Sequence, residues 1–352
     1  MKYSCLFIIL IFIGCRSRQS SPTVLPEAVS DSLDLSSIGK AKLSDYDFFK
    51  GILQHLEPNK GVYAYSLNSA LFSDYAFKKR FVFIPNGKSI GYHPTDLLAF
   101  PEGTVLIKNF YYPADFRKPE EGKQILETRL LILENAEWKA LPYIWNEQQT
   151  EAYLEVAGKS VDVEWIHFDG SNKKVNYSIP NINQCKGCHL RGDKVMPIGP
   201  TARQLNHGES DQNLLAAWQA KGILENLPAI NQVPRLAAYE NESEKVAHRA
   251  RAWLEINCAH CHRADGPAKT SGLHLLAELA DLNVLGVGKA PIAAGKGSGG
   301  RLYGIVPGKP DESILQYRIE SIHPGIMMPE LGRKLVHEEG VALVRKWILE
   351  MR

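Results

Sequence analysis

Residues 175–189 read VNYSIPNINQCKGCH, and the character of the chain changes within this stretch. Its beginning, Val175 to Ile179, is typical of a β-strand, because β-branched and aromatic side chains favour an extended backbone. Pro180 then ends the strand, and turn-forming asparagines lead into two cysteines followed by a histidine. The stretch therefore predicts a boundary between a β-rich part and a part organised around cysteines.

Short apolar runs separated by turn residues precede this boundary. The segment Val161 to Trp165 alternates apolar and polar side chains, as a strand with one buried face does. Similar runs, with Asn-Gly after the first and Asp-Gly after the last, cover 80–84, 105–112, 129–133 and 161–168. We therefore predict a β-rich, sandwich-like domain over residues 39–180.

Helical patterns follow the boundary. Apolar side chains recur at helical spacing from Glu242 to Asn257 and from His337 to Glu350, and a shorter helical stretch covers 211–221. The Gly-rich segment 286–310 is typical of a loop. The predicted fold class is multidomain α+β: the β-rich domain is followed by mainly α-helical domains, one over residues 181–240 and one over 241–352.

Two cysteine pairs carry the chemistry. The segments Cys185-Lys186-Gly187-Cys188-His189 and Cys258-Ala259-His260-Cys261-His262 fit the C-x-x-C-H pattern of c-type haem attachment. Two cysteines at this spacing present their sulfurs to the two vinyl groups of a porphyrin, and the next residue turns its imidazole toward the iron. We predict two covalently bound haems. The attachment sites are Cys185, Cys188, Cys258 and Cys261, and the axial iron ligands are His189 and His262.

Three other interpretations of the cysteine pairs are weaker. A structural zinc site would use both pairs, but they are about seventy residues apart, far beyond the spacing of a zinc ribbon. A thioredoxin-like redox pair needs a βαβ setting, which neither pair has. Coincidence is the third, and histidine is too rare in this chain to follow both pairs often by chance.

The sixth iron ligand is predicted from the methionines, because a thioether is the usual choice in cytochromes c. Met328 precedes Pro329, which favours an extended backbone that holds the thioether outward. It follows the Gly-rich loop after the second motif, so we predict it as ligand of the second haem, ahead of its neighbour Met327. Met351 lies beside the C-terminus and is a poor candidate.

The sixth ligand of the first haem is less constrained by the sequence. Met196 follows the first motif closely and also precedes a proline, so we favour it. His207 and an open coordination position are the alternatives.

The N-terminus has the pattern of a bacterial lipoprotein leader. Lys2 precedes an apolar run over 6–13 that is too short to span a bilayer and is typical of a signal-peptide core. The run ends in Phe-Ile-Gly-Cys, which resembles a lipobox. We predict residues 1–15 as signal peptide and lipobox with Cys15 lipidated, and the Ser- and Pro-rich residues 16–38 as a flexible tether. A secretory peptide cleaved elsewhere is the alternative.

The charge distribution argues against nucleic acid as a partner. The chain has 352 residues, with 41 basic and 39 acidic side chains spread along it, and it lacks the clustered basic stripe of a nucleic-acid-binding protein. Of its six cysteines, Cys5 lies in the leader, Cys15 is the lipidation candidate and the other four form the two motifs. No cysteine is left for a disulfide.

The chain resembles a family of bacterial lipoprotein dihaem c-type cytochromes, most of them known only as conserved hypothetical proteins. The stretches that carry this resemblance are FPEGTVLIK at 100–108, LETRLL at 126–131, YIWNEQQT at 143–150, QCKGCH at 184–189, PIGP at 197–200 and MPELGR at 328–333. Residues 241–352 also resemble a class I cytochrome c domain, with its terminal helices at 242–257 and 337–350. The resemblance implies covalent haem and an envelope location, with no established substrate.

These observations predict an electron carrier at the bacterial cell envelope. It would be anchored through lipid on Cys15, facing the periplasm or on the outer membrane, and would exchange electrons with an unknown redox partner protein. One alternative is a dihaem peroxidase or oxidase with an open first haem. The other is an envelope binding module whose β-rich domain recognises a partner while the haems serve as an electrical connection.

Overall fold

The computed structural model describes residues 38–208 and 212–352. The predicted signal peptide, Cys15 and almost all of the predicted tether therefore lie outside the described residues. Among those that are described, no helix combines the length and apolar character needed to cross a membrane.

Strands dominate the first half of the described chain. In order they are β1 (Phe49–Lys50), β2 (Glu57–Pro58), β3 (Val62–Tyr65), β4 (Phe77–Phe83), β5 (Ile90–Gly91), β6 (Val105–Pro113), β7 (Lys123–Glu134), β8 (Glu137–Trp145), β9 (Ala152–Leu154), β10 (Lys159–Ile166) and β11 (Asn172–Ile179). Six of them form one antiparallel sheet in the order β3-β4-β6-β7-β8-β9. Strands β10 and β11 form a separate hairpin that turns at the predicted Asp-Gly pair.

Successive side chains of a strand point to opposite sides of a sheet, and apolar residues cover both sides of the six-stranded sheet. On one face Phe81, Ile107 and Leu130 pack with residues from the N-terminal segment in a first apolar core. The opposite face carries Val82 and Leu106, whose core includes side chains from after the first cysteine motif. The β10–β11 hairpin packs on this same face further along the strands. The sheet thus offers one long face to the C-terminal half of the chain.

The C-terminal half contains short helices and many loops. Its regular elements are α1 (Ile182–His189), β12 (Leu190–Arg191), β13 (Lys194–Val195), α2 (Ala202–Leu205), α3 (Leu214–Ala220), β14 (Leu224–Glu225), α4 (Val246–Leu254), α5 (Ile314–Glu320) and α6 (Glu338–Glu350). Helices α4 and α6 pack together through Trp253 and Trp347 in one apolar core, as their hydrophobic faces predict.

The predicted fold class is wrong. The β-rich half has one six-stranded sheet and a hairpin instead of the two facing sheets of a sandwich. Mainly α-helical haem domains do not follow it: the described residues contain only six α-helices, and residues 260–313 contain none. Many glycines and several prolines occupy that stretch, and both residue types disfavour helix interiors. The helical periodicity correctly predicted α4 and α6. The prediction of mainly helical domains was wrong because most residues between these helices form loops.

Residues 181–240 also pack directly against the sheet. Leu205, Leu215 and Trp218 belong to the same apolar core as Val82 and Leu106 of the sheet. Strand β14 pairs in parallel with β5, which precedes the cysteine motif by many residues. The segment that follows the first motif is therefore attached to the β-rich half by main-chain pairing as well as by side-chain packing.

Candidate functional site

The first motif lies at the end of a capped helix. Helix α1 begins after Asn181, whose side chain accepts a hydrogen bond from the Gln184 N–H at 2.8 Å, while the Gln184 side chain accepts from the Asn181 N–H at 2.9 Å. This reciprocal cap satisfies donors that a helix start leaves free. The asparagine that the sequence suggested as a turn residue thus starts the helix that carries Cys185, Cys188 and His189.

The second motif begins in a different backbone conformation. Helix α4 continues into a π-helical turn over Glu255–Ala259, so Cys258 lies on the wider turn. Single π-helical turns inside α-helices are rare and are frequent at functional sites. The His262 N–H then donates to the Cys258 carbonyl oxygen at 2.9 Å and closes the motif into a tight turn.

Each motif histidine is oriented through Nδ1. The His189 Nδ1 lies 2.8 Å from the backbone oxygen of Met196, and the His262 Nδ1 lies 2.9 Å from the Ser271 Oγ. Histidines that bind a metal through Nε2 usually make such a bond from the other ring nitrogen. Burial lowers the pKa of both His189 and His262 to about 4 and so favours the neutral imidazole, the form that binds a metal.

A cavity lies beside each motif. Cys185, Cys188 and His189 line a cavity of about 360 Å³. The Cys258 sulfur and the His262 imidazole belong to a second cavity of about 310 Å³. Both volumes fall in the range of small-molecule sites. The chemistry of the donors, two thiols and one imidazole oriented through Nδ1 at each cavity, fits a covalently attached haem.

The two cavities share a wall, which brings the motifs side by side. The Cys261 Sγ lies 3.6 Å from the carbonyl oxygen of Gly187 in the first motif. Side chains of Cys188, His260 and Met328 line both cavities. The Nδ1 of His260 is buried without a hydrogen-bond partner among the described residues. The two motifs are therefore neighbours in the folded chain, although about seventy residues lie between them in the sequence.

An ion-pair bridge holds the segments that follow the two motifs together. The Arg191 guanidinium donates to both carboxylate oxygens of Asp96, at 2.7 and 2.9 Å, and to Asp265 at 3.0 and 3.1 Å. The Gly192 N–H also donates to the Asp265 carbonyl oxygen at 2.8 Å. Among the described residues, no group of three or more His, Cys, Asp or Glu side chains is arranged to hold a bare metal ion.

The neighbouring methionines Met327 and Met328 differ in their access to the cavities. Met328 lines both cavities, and its N–H donates to the carbonyl oxygen of Arg318, a residue of the second cavity wall. Met327 is buried and lines neither cavity. The Arg333 guanidinium donates to the carbonyl oxygens of Met328 at 2.7 Å, Ser321 at 2.8 Å and Leu335 at 3.0 Å. Buried Arg333 thus fixes the loop that carries Met328.

The other candidates for the first site lie away from its cavity. The Met196 main chain is bonded to the His189 Nδ1, on the side of the ring away from Nε2, and Met196 does not line the cavity of His189. The His207 Nε2 lies 3.1 Å from both the backbone oxygen and the Oγ of Ser66. Met351 packs at the edge of the core between α4 and α6.

Sequence reasoning missed the sheet residues of the first cavity. Arg80, Lys108 and Arg129 line it from β4, β6 and β7. One signal was present in the sequence. Each of these cations lies two residues from an apolar residue of the same strand, and this spacing places both side chains on the same face of the sheet. No local signal marks Ser271 as the partner of His262. Comparisons with known proteins found no matching family model, no matching curated protein and no matching solved structure.

Proposed function

We propose that this chain is a dihaem c-type cytochrome that transfers electrons at the bacterial cell envelope, in line with the family that its sequence resembles. The observation that carries the proposal is repeated at both motifs. Each histidine is oriented through Nδ1 and lines a cavity together with its own cysteine pair. A bound haem supplies an iron that exchanges one electron at a time.

The chain's own residues would hold these groups in distinct ways. Cys185 and Cys188 would attach one haem through thioethers, and Cys258 and Cys261 would attach the other. The Nε2 atoms of His189 and His262 would each bind an iron. The Met328 sulfur would also bind the iron at the second site, and Arg333 positions the loop that carries it. We assign no ligand role to Met196, because its main chain lies at the Nδ1 side of His189.

Closeness of the two sites favours a carrier. Cys188, His260 and Met328 are among the residues that line both cavities, so the two groups would lie near each other. The Arg191 bridge to Asp96 and Asp265 fixes the segments on either side. A rigid arrangement of this kind limits the reorganisation that accompanies a change of charge.

The test is to count the haems and identify their ligands. A pyridine haemochrome assay and an intact mass should both give two haems per chain, and one haem, none, or zinc in their place would contradict the proposal. Magnetic circular dichroism should show a low-spin His/Met iron for one haem. A first iron that is high-spin and binds cyanide would indicate a dihaem peroxidase instead of a carrier.

The proposed location rests on Cys15, which lies outside the described residues. Its lipidation would hold the protein firmly at the membrane, because the several acyl chains of a bacterial lipoprotein bind more strongly than one. A Cys15→Ser variant should lose the lipid mass and appear in the soluble fraction. Membrane fractionation of the variant at the wild-type level would contradict the anchor.

A further inference from the structure

Three cationic side chains form a row across the sheet beneath the first cavity. Arg80 of β4 lies directly opposite Lys108 of β6, and Lys108 lies directly opposite Arg129 of β7. Directly paired residues point to the same face of a sheet, and all three residues line the first cavity. Like charges in this arrangement repel one another, so the row requires compensation.

Only one member of the row has an acidic partner in the described part of the chain. The Glu127 carboxylate accepts two hydrogen bonds from Arg129, at 2.5 and 2.7 Å, and a third from the Tyr177 hydroxyl at 2.7 Å. Although burial works against its charge, Glu127 raises the pKa of Arg129. No described carboxylate pairs with Arg80 or Lys108.

Arg80 and Lys108 therefore make no direct ion pair within the described residues, although the charge of Glu127 acts to raise the pKa of Lys108. Arg80 is only 8% exposed, and its Nη2 is buried without a hydrogen-bond partner among the described residues. The Lys108 Nζ lies over the Phe110 ring, 4.8 Å from its centre. Burial, followed by the charges of Arg80, Lys78 and Arg129, lowers the pKa of Lys108 well below its usual value. An unpaired buried charge of this kind is costly to retain without a bound anion.

Asp74, whose charge acts on Lys78, makes its hydrogen bonds to the backbone. The Asp74 carboxylate accepts hydrogen bonds from the N–H groups of Lys334 and Leu335, at 2.7 and 2.8 Å. Lys78, on the same face as Arg80, adds a further positive charge. Arg80 and Lys108 are thus the two members of the row that lack an ion-pair partner among the described residues.

We propose that Arg80 and Lys108 bind the two propionate carboxylates of the haem attached at Cys185 and Cys188. This inference rests on the proposed function. The cavity has apolar side chains, Leu106 and Leu131, beside the two cations, which matches a flat apolar ring that carries two carboxylates. The sheet would thus be the floor of the first haem site, and the β-rich half would hold a cofactor instead of only covering it.

The experiment measures both reduction potentials of the holoprotein in Lys108→Gln and Arg80→Gln variants. A cation near the iron favours its reduced, less positive state, so removing one should lower one potential. We expect a roughly tenfold shift in the reduction equilibrium of one haem, which is 59 mV for one electron, with the other haem unchanged. Lys108→Arg should keep the wild-type value.

Lys79→Gln is the matched control, because Lys79 is on the same strand as Arg80 and points to the opposite face. It should leave both potentials unchanged. If the Arg80→Gln variant does not fold, the reduction potentials of the Lys108→Gln variant still test the inference, because Lys108 is only half-buried.

Two outcomes would overturn the inference. One is unchanged potentials in every variant of the row. The other is a spectral change of the wild type on titration with inorganic phosphate that Lys108→Gln abolishes, since the row would then bind an external anion. A wild-type protein with fewer than two haems would instead refute the proposed function, and the haem assay on the same samples separates the two failures.

Discussion

The two motif sites use the same five-residue pattern in different surroundings. The first motif ends a capped helix and faces a sheet that bears Arg80 and Lys108. The second begins in a π-helical turn. Its cavity is walled mainly by aliphatic side chains from loops and from α5, among them Leu273, Leu275, Leu285, Ile305, Ile314 and Ile319. One site therefore faces cations that project from a sheet, and the other is enclosed mainly by aliphatic side chains, with Lys289, Arg318 and Glu330 also in its wall.

The five-residue motif therefore does not determine the backbone conformation that presents it. What the sites share is the bond from each histidine Nδ1 to an oxygen, but the acceptors differ: a main-chain carbonyl for His189 and the Ser271 hydroxyl for His262. Because apolar and charged surroundings stabilise different charge states of a buried group, we expect the two haems to have different reduction potentials.

The largest effect should come from removing one cysteine pair at a time. If the chain is the proposed dihaem cytochrome, Cys185→Ala/Cys188→Ala and Cys258→Ala/Cys261→Ala should each reduce the haem content from two to one, because each pair would supply both thioether bonds of one haem. Intact mass and the pyridine haemochrome assay measure this loss. Two haems in either double variant would show that the pairs do not act independently.

A smaller effect should follow from replacing the methionine of the second site. Met328→Leu nearly conserves volume and should remove the sulfur-to-iron charge-transfer absorption of the oxidised protein and lower one potential. Met327→Leu is the control, because Met327 is buried but lines neither cavity. If Met327→Leu abolishes the band and Met328→Leu keeps it, the other sulfur is the ligand.

Arg333→Met should disturb the same site indirectly. Loss of the bonds from its guanidinium to three carbonyl oxygens should cost about 1.5–3 kcal/mol for each bond to the charged group that is not replaced by water. If Arg333 positions Met328, the charge-transfer band should also weaken. A purely structural role would lower the free energy of unfolding and leave the band intact. Arg345→Met, which breaks an exposed pair with Asp311, is the control and should do neither.

The smallest effect concerns the bridge between the sites. Arg191 lowers the pKa of Asp96 to about 2 through its hydrogen bonds, below the usual value of about 3.9. The carboxylate therefore stabilises the fold above about pH 4, and this contribution is lost as the pH falls through about 2. Because Asp96 is 40% exposed, solvent limits the effect of Asp96→Asn to about 1 kcal/mol or less.

Urea unfolding at several pH values measures the pH range over which Asp96 contributes to the free energy of unfolding. The difference between the wild type and Asp96→Asn should be present at about pH 7 and should shrink below about pH 4. Asp193→Asn, at an exposed acidic position two residues beyond Arg191, is the control and should show no such dependence. An equal difference at every pH would mean that Asp96 acts through its shape and not through its charge.

Local patterns predicted the strong elements and missed the weak ones. The run 105–112 matches β6 closely, and the end of the helical stretch at 337–350 matches α6. Strand β8 was not predicted: Pro142 lies within it, and proline is unusual inside a strand. The mainly helical second half was wrong because amphipathic periodicity marks single helices and says nothing about the loops between them.

The spacing of two thiols and an imidazole is a local property of five residues, so the amino-acid sequence alone sufficed to predict the candidate haem-attachment residues. It also limited the thioether candidates to a few methionines. The tertiary structure alone brings Cys188 and Cys261 to one cavity and leaves Met196 out of the wall of the His189 cavity. It alone aligned Arg80 with Lys108, because register across strands and packing between distant segments depend on the whole chain.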